Sequence, residues 1–311
     1  ALWGYFKKLL LAERTAALVN TVFASPESYG GALLVLGVFG YCVQLYCDFS
    51  GGIDISRGAA QMLGITMAEN FQRPIFARSL TEYWRRWHIS LGSWMRDYVF
   101  YPLALSRPFR ALGSFARKRF RGMLSKIFAT SMATFVVYFI IGVWHGANFR
   151  YLAFGLYNGV LITAALLLEP LFVRVREKLP IRWDGWLWHG VQMLRTGVIV
   201  FIGRYITRAP RLTTAFSMLR RSVTGFSLSQ LRGGALFSLG MTKSDWLVVL
   251  AGLAVLLAVE VYQERGGRAR ALLARQKPAV QGLVTLLWLA ALLLLGALGG
   301  YTGAGFIYAQ Y

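Results

Sequence analysis

The sequence predicts an all-α fold, a polytopic transmembrane helical bundle with interfacial and re-entrant helices. Hydrophobic residues make up 56% of its 311 positions and charged residues 15%, whereas soluble domains carry about 25% charged residues. Long runs with almost no charge recur along the chain, and each approaches the ~20 residues that a helix needs to cross a bilayer. These runs are 29–47, 127–147, 151–173, 187–206, 245–263 and 280–300.

The formal net charge of +21 raises the question of a nucleic-acid partner, but its distribution argues against one. The basic residues lie between the apolar runs and do not form one soluble face. Between Arg57 and Lys126, thirteen Lys and Arg residues stand against three acids, an excess that the positive-inside rule places in the cytosol. The membrane, with its anionic lipid head groups, is therefore the expected counter-charge. The stretch 107–126 would also suit an acidic carrier protein.

Two further segments are predicted to lie at the membrane surface. Residues 1–24 have the period of an amphipathic helix, either at the interface or packed beside a bundle. Six Trp, Tyr and Phe residues crowd the stretch 84–101, which indicates a segment along the cytosolic face. The side of the membrane on which residues 207–244 lie is left open, because this stretch carries five arginines and no acid but would lie outside if every run crossed fully. Either the run 187–206 does not cross fully, or the positive-inside rule fails there.

Several motifs for metal binding, phosphate binding and nucleophilic catalysis are absent from the sequence. Cys42 and Cys47 stand five apart in one apolar helix, a spacing that suits core packing better than a disulfide or a metal pair. The three histidines are isolated from one another and acids are few, so no metal site is predicted. No phosphate-binding P-loop and no G-x-S-x-G motif occurs.

The histidines are the strongest candidates for chemistry, and each follows a tryptophan. His145 lies in "FIIGVWHGANFRYLAFG", between two apolar runs. Placing an ionisable group there costs free energy, so such a residue is by default a functional candidate. Gly146 lets a backbone or substrate approach closely, Asn148 follows within one turn, and a neutral imidazole can take a proton from a hydroxyl. The alternative is a helix-end histidine whose ring binds a neighbouring carbonyl.

His88 lies among charges and aromatic rings in "TEYWRRWHISLGSWMRDYVFYP". It could be a second polar group facing a cavity, with the nearby arginines holding a phosphate-bearing donor. Alternatively, the segment is an interfacial aromatic belt with solvated charges. His189, in "WLWHGVQM", stands at the start of its run and is assigned to the interface.

Four segments carry a resemblance to a known family. They are "YFKKLLLAERTAALVNTVF", the long stretch from "YCDFSGGIDISRG" to "RDYVFYPL", "FIIGVWHGANFRYLAFGLYNG" and "GAGFIYAQY". In content and order they resemble the membrane-bound O-acyltransferase family, in the bacterial branch of alginate O-acetylases and the teichoic-acid D-alanylation protein. Members usually have more N-terminal membrane helices. We therefore expect residues 1–311 to form a single core that lacks those helices.

The resemblance implies a multi-pass enzyme of the bacterial plasma membrane. His145 would be the essential histidine, reached through a central tunnel, and His88 the second histidine, nearer the cytosol. The donor would be an acyl thioester, acetyl-CoA or an acyl-carrier protein, and the acceptor a hydroxyl of an exported polysaccharide or teichoic acid. An acyl carrier protein and a periplasmic or extracellular acyltransferase are the protein partners that this reaction suggests.

These expectations lead to one site hypothesis. The catalytic residues are His145 and His88, and the substrate-binding residues are Asn148, Trp144, Trp87, Arg85, Arg86 and Asp97. Acetyl transfer to a surface polysaccharide is the first expectation. D-alanyl transfer to teichoic acid is the alternative within the class. A non-enzymatic transporter and a membrane-anchored scaffold are the alternatives outside it.

Overall fold

The computed structural model describes residues 1–179 and 183–297. Within them the chain is helical, and extended backbone pairs only at an isolated antiparallel bridge between Phe71 and Trp87. The all-α prediction is confirmed. The helices are α1 (Leu2–Tyr5), α2 (Glu13–Ala24), α3 (Gly31–Met62), α4 (Leu80–Arg86), α5 (Ile89–Met95), α6 (Tyr101–Leu105), α7 (Arg107–Arg119), α8 (Met123–Trp144), α9 (Phe149–Leu167), α10 (Glu169–Lys178), α11 (Trp186–Arg208), α12 (Leu212–Thr224), α13 (Lys243–Glu264), α14 (Ala269–Ala274) and α15 (Pro278–Leu295).

Five of these helices, α3, α8, α9, α13 and α15, are long and apolar enough to cross a membrane. They correspond to five of the six predicted runs. The predicted run 187–206 forms α11, which is not one of the five. The first run was predicted too short, because α3 continues through Asp48 and Asp54 to Met62 with its polar side chains partnered. The predicted central tunnel and single core stay predictions.

The chain divides into two compact units. The first contains Ala1–Ala68 and the chain from Arg208 onward, and the second contains Glu69–Thr207. In the first unit α1, a π-helical segment (Phe6–Ala12) and α2 pack along α3 and bury the apolar side of residues 1–24. The second of the two alternatives for this segment, packing beside a bundle, is therefore the one observed. Cys47 in α3 is buried and Cys42 is half-buried, with no disulfide.

Buried charge in the first unit is paired across helices. The Lys7 Nζ lies 2.8 Å from Asp54 Oδ2 and donates to Ser50 Oγ at 2.8 Å. The Lys8 Nζ lies 2.6 Å from Asp48 Oδ1. Ion pairing of this kind offsets the desolvation that an isolated charge would suffer in an apolar bundle. It explains how charged residues are accommodated within helices of high hydropathy.

The second unit is built on a tight hairpin of α8 and α9. Gly142 and Gly155 face each other so closely that a methyl group on Gly155 would lie 2.8 Å from the Gly142 Cα. Small residues permit such close approach between membrane helices. Only residues 145–148 separate the two helices. His145, which the sequence places between two apolar runs, therefore lies in the turn of a helical hairpin.

Candidate active site

His145 is the first residue after α8, outside the helix and in the turn that leads into α9. Its backbone N–H donates to the Ile141 carbonyl at 3.1 Å, the helical hydrogen bond made by the C-cap residue. Gly146 follows with φ 136°, a conformation that favours glycine. Asn148 then caps α9, because its side-chain oxygen accepts from the Arg150 N–H at 3.1 Å. The turn thus fixes the position of the imidazole between two spanning helices.

Aromatic rings surround the His145 imidazole. The ring centroids of Trp144, Tyr151 and Phe154 lie 5.0, 6.0 and 6.2 Å from that of His145. Burial lowers the pKa of His145 to about 4, and the positive charge of Arg204 acts in the same direction. The imidazole is therefore neutral at pH 7 and can accept a proton.

His88 caps the N-terminus of α5 in a left-handed conformation, with φ 50°. Asn70 holds this turn. Its side-chain oxygen lies 3.3 Å from His88 Nδ1 and accepts from the Ser90 N–H at 2.9 Å and the Ser90 hydroxyl at 3.0 Å. Because a carbonyl oxygen only accepts, Nδ1 carries the proton and Nε2 keeps its lone pair. Three part-buried hydrogen bonds thus stabilise the strained backbone of a non-glycine residue at positive φ.

The two histidines meet at one tryptophan. The Trp144 ring lies 6.2 Å from the His88 ring and 5.0 Å from the His145 ring. Burial lowers the pKa of His88 to about 4, and the nearby His145 adds to the effect. Residues 57 apart in sequence therefore form one cluster with two neutral imidazoles. Of the predicted site residues, the structure brings His88, Trp144 and His145 together.

A buried arginine from α11 stands close to this cluster. Arg204 is 6% exposed, its Nη2 donates to the Tyr83 hydroxyl at 2.6 Å, and its guanidinium lies 5.2 Å from the Trp87 ring centroid. The Trp87 ring, itself 5% exposed, stacks on Tyr83 at 5.7 Å. Arg204 is not among the site residues predicted from the sequence. The available signal was an arginine inside the apolar run 187–206, where a charge is expensive.

A second polar contact ties α4 to α9. The Trp84 indole N–H donates to Asn158 Oδ1 at 3.2 Å, and the Asn158 amide donates to the Phe154 carbonyl at 2.8 Å. Asn158 is buried, so the indole N–H satisfies an oxygen that would otherwise be desolvated. Asn158 and Asn70 were both missed, because a lone Asn in a sequence does not reveal its partner.

The remaining predicted residues lie in other surroundings. Arg85 is exposed, and Asp97 pairs with the adjacent Arg96 at 2.8 Å on the surface. Arg86 pairs with Glu82 at 2.8 Å within α4. Asn148 acts as the helix cap described above. The substrate-binding roles given to these residues stay predictions.

His189 is half-buried, with its Nε2 3.1 Å from an Arg78 guanidinium nitrogen. Its assignment to the interface stays a prediction. Across residues 1–179 and 183–297, no group of three or more His, Cys, Asp and Glu side chains is arranged to hold a metal ion.

Comparison with known proteins shows the family to which this chain belongs. A sequence model described as the membrane-bound O-acyltransferase family matches residues 13–117, which include His88. The chain is 33% identical to the probable alginate O-acetylase AlgI of Pseudomonas aeruginosa over 217 residues, which is 69% of this chain and 36% of that protein. The chain belongs to the membrane-bound O-acyltransferase family. The predicted family and the predicted multi-pass location in a bacterial plasma membrane are confirmed.

Two further relatives show the breadth of the match within this family. The probable alginate O-acetylase AlgI of Azotobacter vinelandii is 31% identical over 287 residues, covering 90% of this chain and 51% of that protein. The teichoic acid D-alanyltransferase of Bacillus subtilis is 32% identical over 162 residues, covering 51% of this chain and 38% of that protein. The chain therefore spans about half the length of these curated relatives, or less.

Proposed function

We propose that this chain carries the catalytic histidines of a membrane-embedded O-acyltransferase. The enzyme moves an acyl group from a cytosolic thioester to a hydroxyl of an exported cell-surface polysaccharide. The observation that carries the proposal is the meeting of two neutral imidazoles, His88 and His145, on the ring of Trp144. The turn between two spanning helices is where a cytosolic donor and an outer acceptor can meet. Membership of the family supports the reaction class.

The proposed reaction is direct transfer with His145 as general base. The imidazole takes the proton of the acceptor hydroxyl while its oxygen attacks the thioester carbonyl carbon. A carbon–oxygen bond forms and the carbon–sulfur bond breaks. The thiolate leaves and recovers the proton from the imidazolium, so that an ester and a free thiol are the products. The aromatic rings around His145 would keep water away from the thioester.

His88 is proposed to orient the substrate. Its Nδ1–H is directed to Asn70, so its Nε2 can accept a hydrogen bond from a substrate N–H or O–H. An imidazole in this tautomer cannot donate from Nε2 to a developing oxyanion. This geometry favours a role for His88 in orienting the substrate over one in polarising the thioester carbonyl. Trp144, in contact with both rings, would separate the two substrates.

Arg204 supplies the fixed positive charge of the proposed site. Tyr83 and Trp87 hold its guanidinium, and its charge acts on His145. A preorganised cation stabilises the negative charge that develops on the carbonyl oxygen during attack. We expect Arg204→Lys to retain part of the transfer rate and Arg204→Gln to lose about 100-fold or more. Equal rates for Arg204→Gln and wild type would exclude this role.

Acetyl transfer is the favoured branch. The alginate O-acetylases match up to 90% of this chain, whereas the Bacillus subtilis teichoic acid D-alanyltransferase matches 51%. Acetyl-CoA is accordingly the first donor to test, and a D-alanyl carrier protein is the alternative. A periplasmic or extracellular acyltransferase would act as the partner that completes delivery to the glycan.

The test uses the full-length protein in vesicles with cell-envelope glycan as acceptor. Labelled acetyl-CoA and a loaded D-alanyl carrier are supplied in parallel, to wild type and to His145→Gln. We expect label to reach glycan from acetyl-CoA with wild type only. Transfer from the carrier alone would move the enzyme to the D-alanyl branch. Flux of an envelope component that survives loss of His145, without label transfer from either donor, would favour the transporter.

A further inference from the structure

A basic surface on α7 and the start of α8 has no role in the proposed chemistry. We define the basic surface as the seven exposed cations Arg107, Arg110, Arg117, Lys118, Arg119, Arg121 and Lys126. The sequence contains no Asp or Glu between Asp97 and Glu169. Among the described residues, these cations form no ion pair with a carboxylate, and the nearest pairs along the chain are Arg96–Asp97 and Arg176–Glu169. Their counter-charge must come from outside this stretch.

The apolar side of α7 is already occupied. Phe109, Leu112, Gly113 and Ala116 follow one another at helical spacing, and all are buried or half-buried. A methyl group on Gly113 would lie 3.7 Å from a side-chain carbon of α8, and the ring of Phe120, which follows α7, packs on Phe128 of α8 at 5.1 Å. This helix therefore uses its apolar side within the protein and presents its cations outward.

The position of the basic surface relative to the bilayer follows from the chain. Only residues 120–122 separate the end of α7 at Arg119 from the start of the spanning helix α8 at Met123. Three residues reach at most about 10 Å, which is comparable with the depth of the head-group layer. Lys126 adds a cation one turn into α8, whose first turn carries no acidic residue. Cations at a helix N-terminus oppose the helix dipole unless an external anion is present.

We propose that the basic surface binds anionic phospholipid head groups and so fixes the depth of the α7–α8 corner in the membrane. An acidic carrier protein is the competing occupant. Protein interfaces are built around an apolar centre, but among the exposed side chains of α7 the only large apolar one is Phe115. A row of flexible cations at head-group level suits several lipid phosphates, each contact adding to the attraction. Charge and position together favour the lipid.

The experiment measures lipid enrichment around the full-length protein in bilayers of phosphatidylcholine with a minority of phosphatidylglycerol. Spin-labelled phosphatidylglycerol and phosphatidylcholine report the composition of the first lipid shell. The test variant carries Arg117→Gln, Lys118→Gln, Arg119→Gln and Arg121→Gln. The matched control keeps the charge with Arg117→Lys, Arg119→Lys and Arg121→Lys. All these side chains are exposed, so both variants should insert normally, which thermal unfolding would verify.

We expect the phosphatidylglycerol enrichment of wild type to persist in the charge-keeping control and to fall in the Gln variant. The attraction of one cation near the surface corresponds to about fivefold in affinity, so loss of four should reduce the enrichment at least fivefold. High salt should reduce the enrichment of wild type towards that of the Gln variant. Unchanged enrichment in the Gln variant would overturn the proposal. Unchanged enrichment with lost binding of a purified acidic carrier protein would assign the surface to the carrier.

Discussion

The glycine contact in the α8–α9 hairpin allows a quantitative prediction for Gly155→Ala. The added methyl carbon would lie 2.6 Å from the Tyr138 carbonyl oxygen and 2.8 Å from the Gly142 Cα, both backbone atoms. Carbon atoms pack best at about 3.5–4.0 Å, so the two helices must separate by roughly 1 Å. Overpacking of this kind typically destabilises by about 1–3 kcal/mol. The higher helix propensity of alanine offsets up to about 1 kcal/mol of this destabilisation, so we expect a net loss in the free energy of unfolding.

The same substitution should also affect transfer, because the hairpin turn carries His145. A displacement of about 1 Å at a reacting group can reduce a rate by about 100-fold. The matched control is Gly197→Ala in α11, where the added methyl would have no neighbour within 4 Å. We expect Gly155→Ala to lower the thermal midpoint in detergent and the transfer rate, and Gly197→Ala to change neither adversely. Equal stability and activity of the two variants would refute the packing argument.

Three further predictions concern hydrogen bonding, pH and buried charge. Asn70→Ala should destabilise the His88 turn by roughly 1–3 kcal/mol in thermal unfolding and should slow acyl transfer. Asn70→Asp keeps a hydrogen-bond acceptor and should recover both stability and transfer. Equal losses in the two variants would contradict the role given to these hydrogen bonds. The pKa values of both imidazoles lie at about 4, so the rate of single-turnover transfer should stay level from pH 8 to 6 and fall only near pH 4. A midpoint of this fall near pH 6.5 would exclude buried neutral histidines. Stability should decrease as pH falls from 6.5 to 4, since only the unfolded chain then binds these protons. Lys7→Met should destabilise the first unit by roughly 3 kcal/mol, because it leaves the Asp54 carboxylate without its cation. Adding Asp54→Asn to the same chain should restore part of the lost stability. Unchanged stability of the Lys7→Met variant would contradict the pairing.

The spanning helices and their hairpin were predictable because long apolar runs have few alternatives to a membrane helix. The end of α3 was not predictable from hydropathy, because Asp48 and Asp54 look like the end of a span. They continue the helix because Lys8 and Lys7 neutralise them from a segment 40 or more residues away. Pairing over such a separation has no signature in one sequence. The run 187–206 shows the opposite effect, because it includes two arginines, Arg195 and Arg204, and the helix α11 that it forms is not among those apolar enough to span a membrane.

His145 was predicted as a catalytic residue because an ionisable group beside an apolar run is conspicuous, and His88 was predicted from its charged, aromatic surroundings and from the family resemblance. Their supporting residues were not, because Asn70 and Arg204 approach from segments remote in sequence. Arg85 was chosen for proximity to His88 along the chain. On α4 the buried side chains are Leu80 and Tyr83, and the helical period leaves Arg85 on the exposed side. Sequence adjacency to a catalytic candidate was therefore a weaker guide than helical spacing.

The most direct test compares single-turnover acyl transfer by His145→Gln and His189→Gln in the full-length protein. Both substitutions remove an imidazole that follows a tryptophan. His145 lies against the rings of Trp144, Tyr151 and Phe154, whereas His189 is half-buried beside the Arg78 guanidinium, outside the proposed site. We expect His145→Gln to insert normally and to lose transfer by at least about 100-fold. We expect His189→Gln to transfer at the rate of wild type. Transfer by His145→Gln at the rate of His189→Gln would contradict the assignment of His145 as the catalytic base.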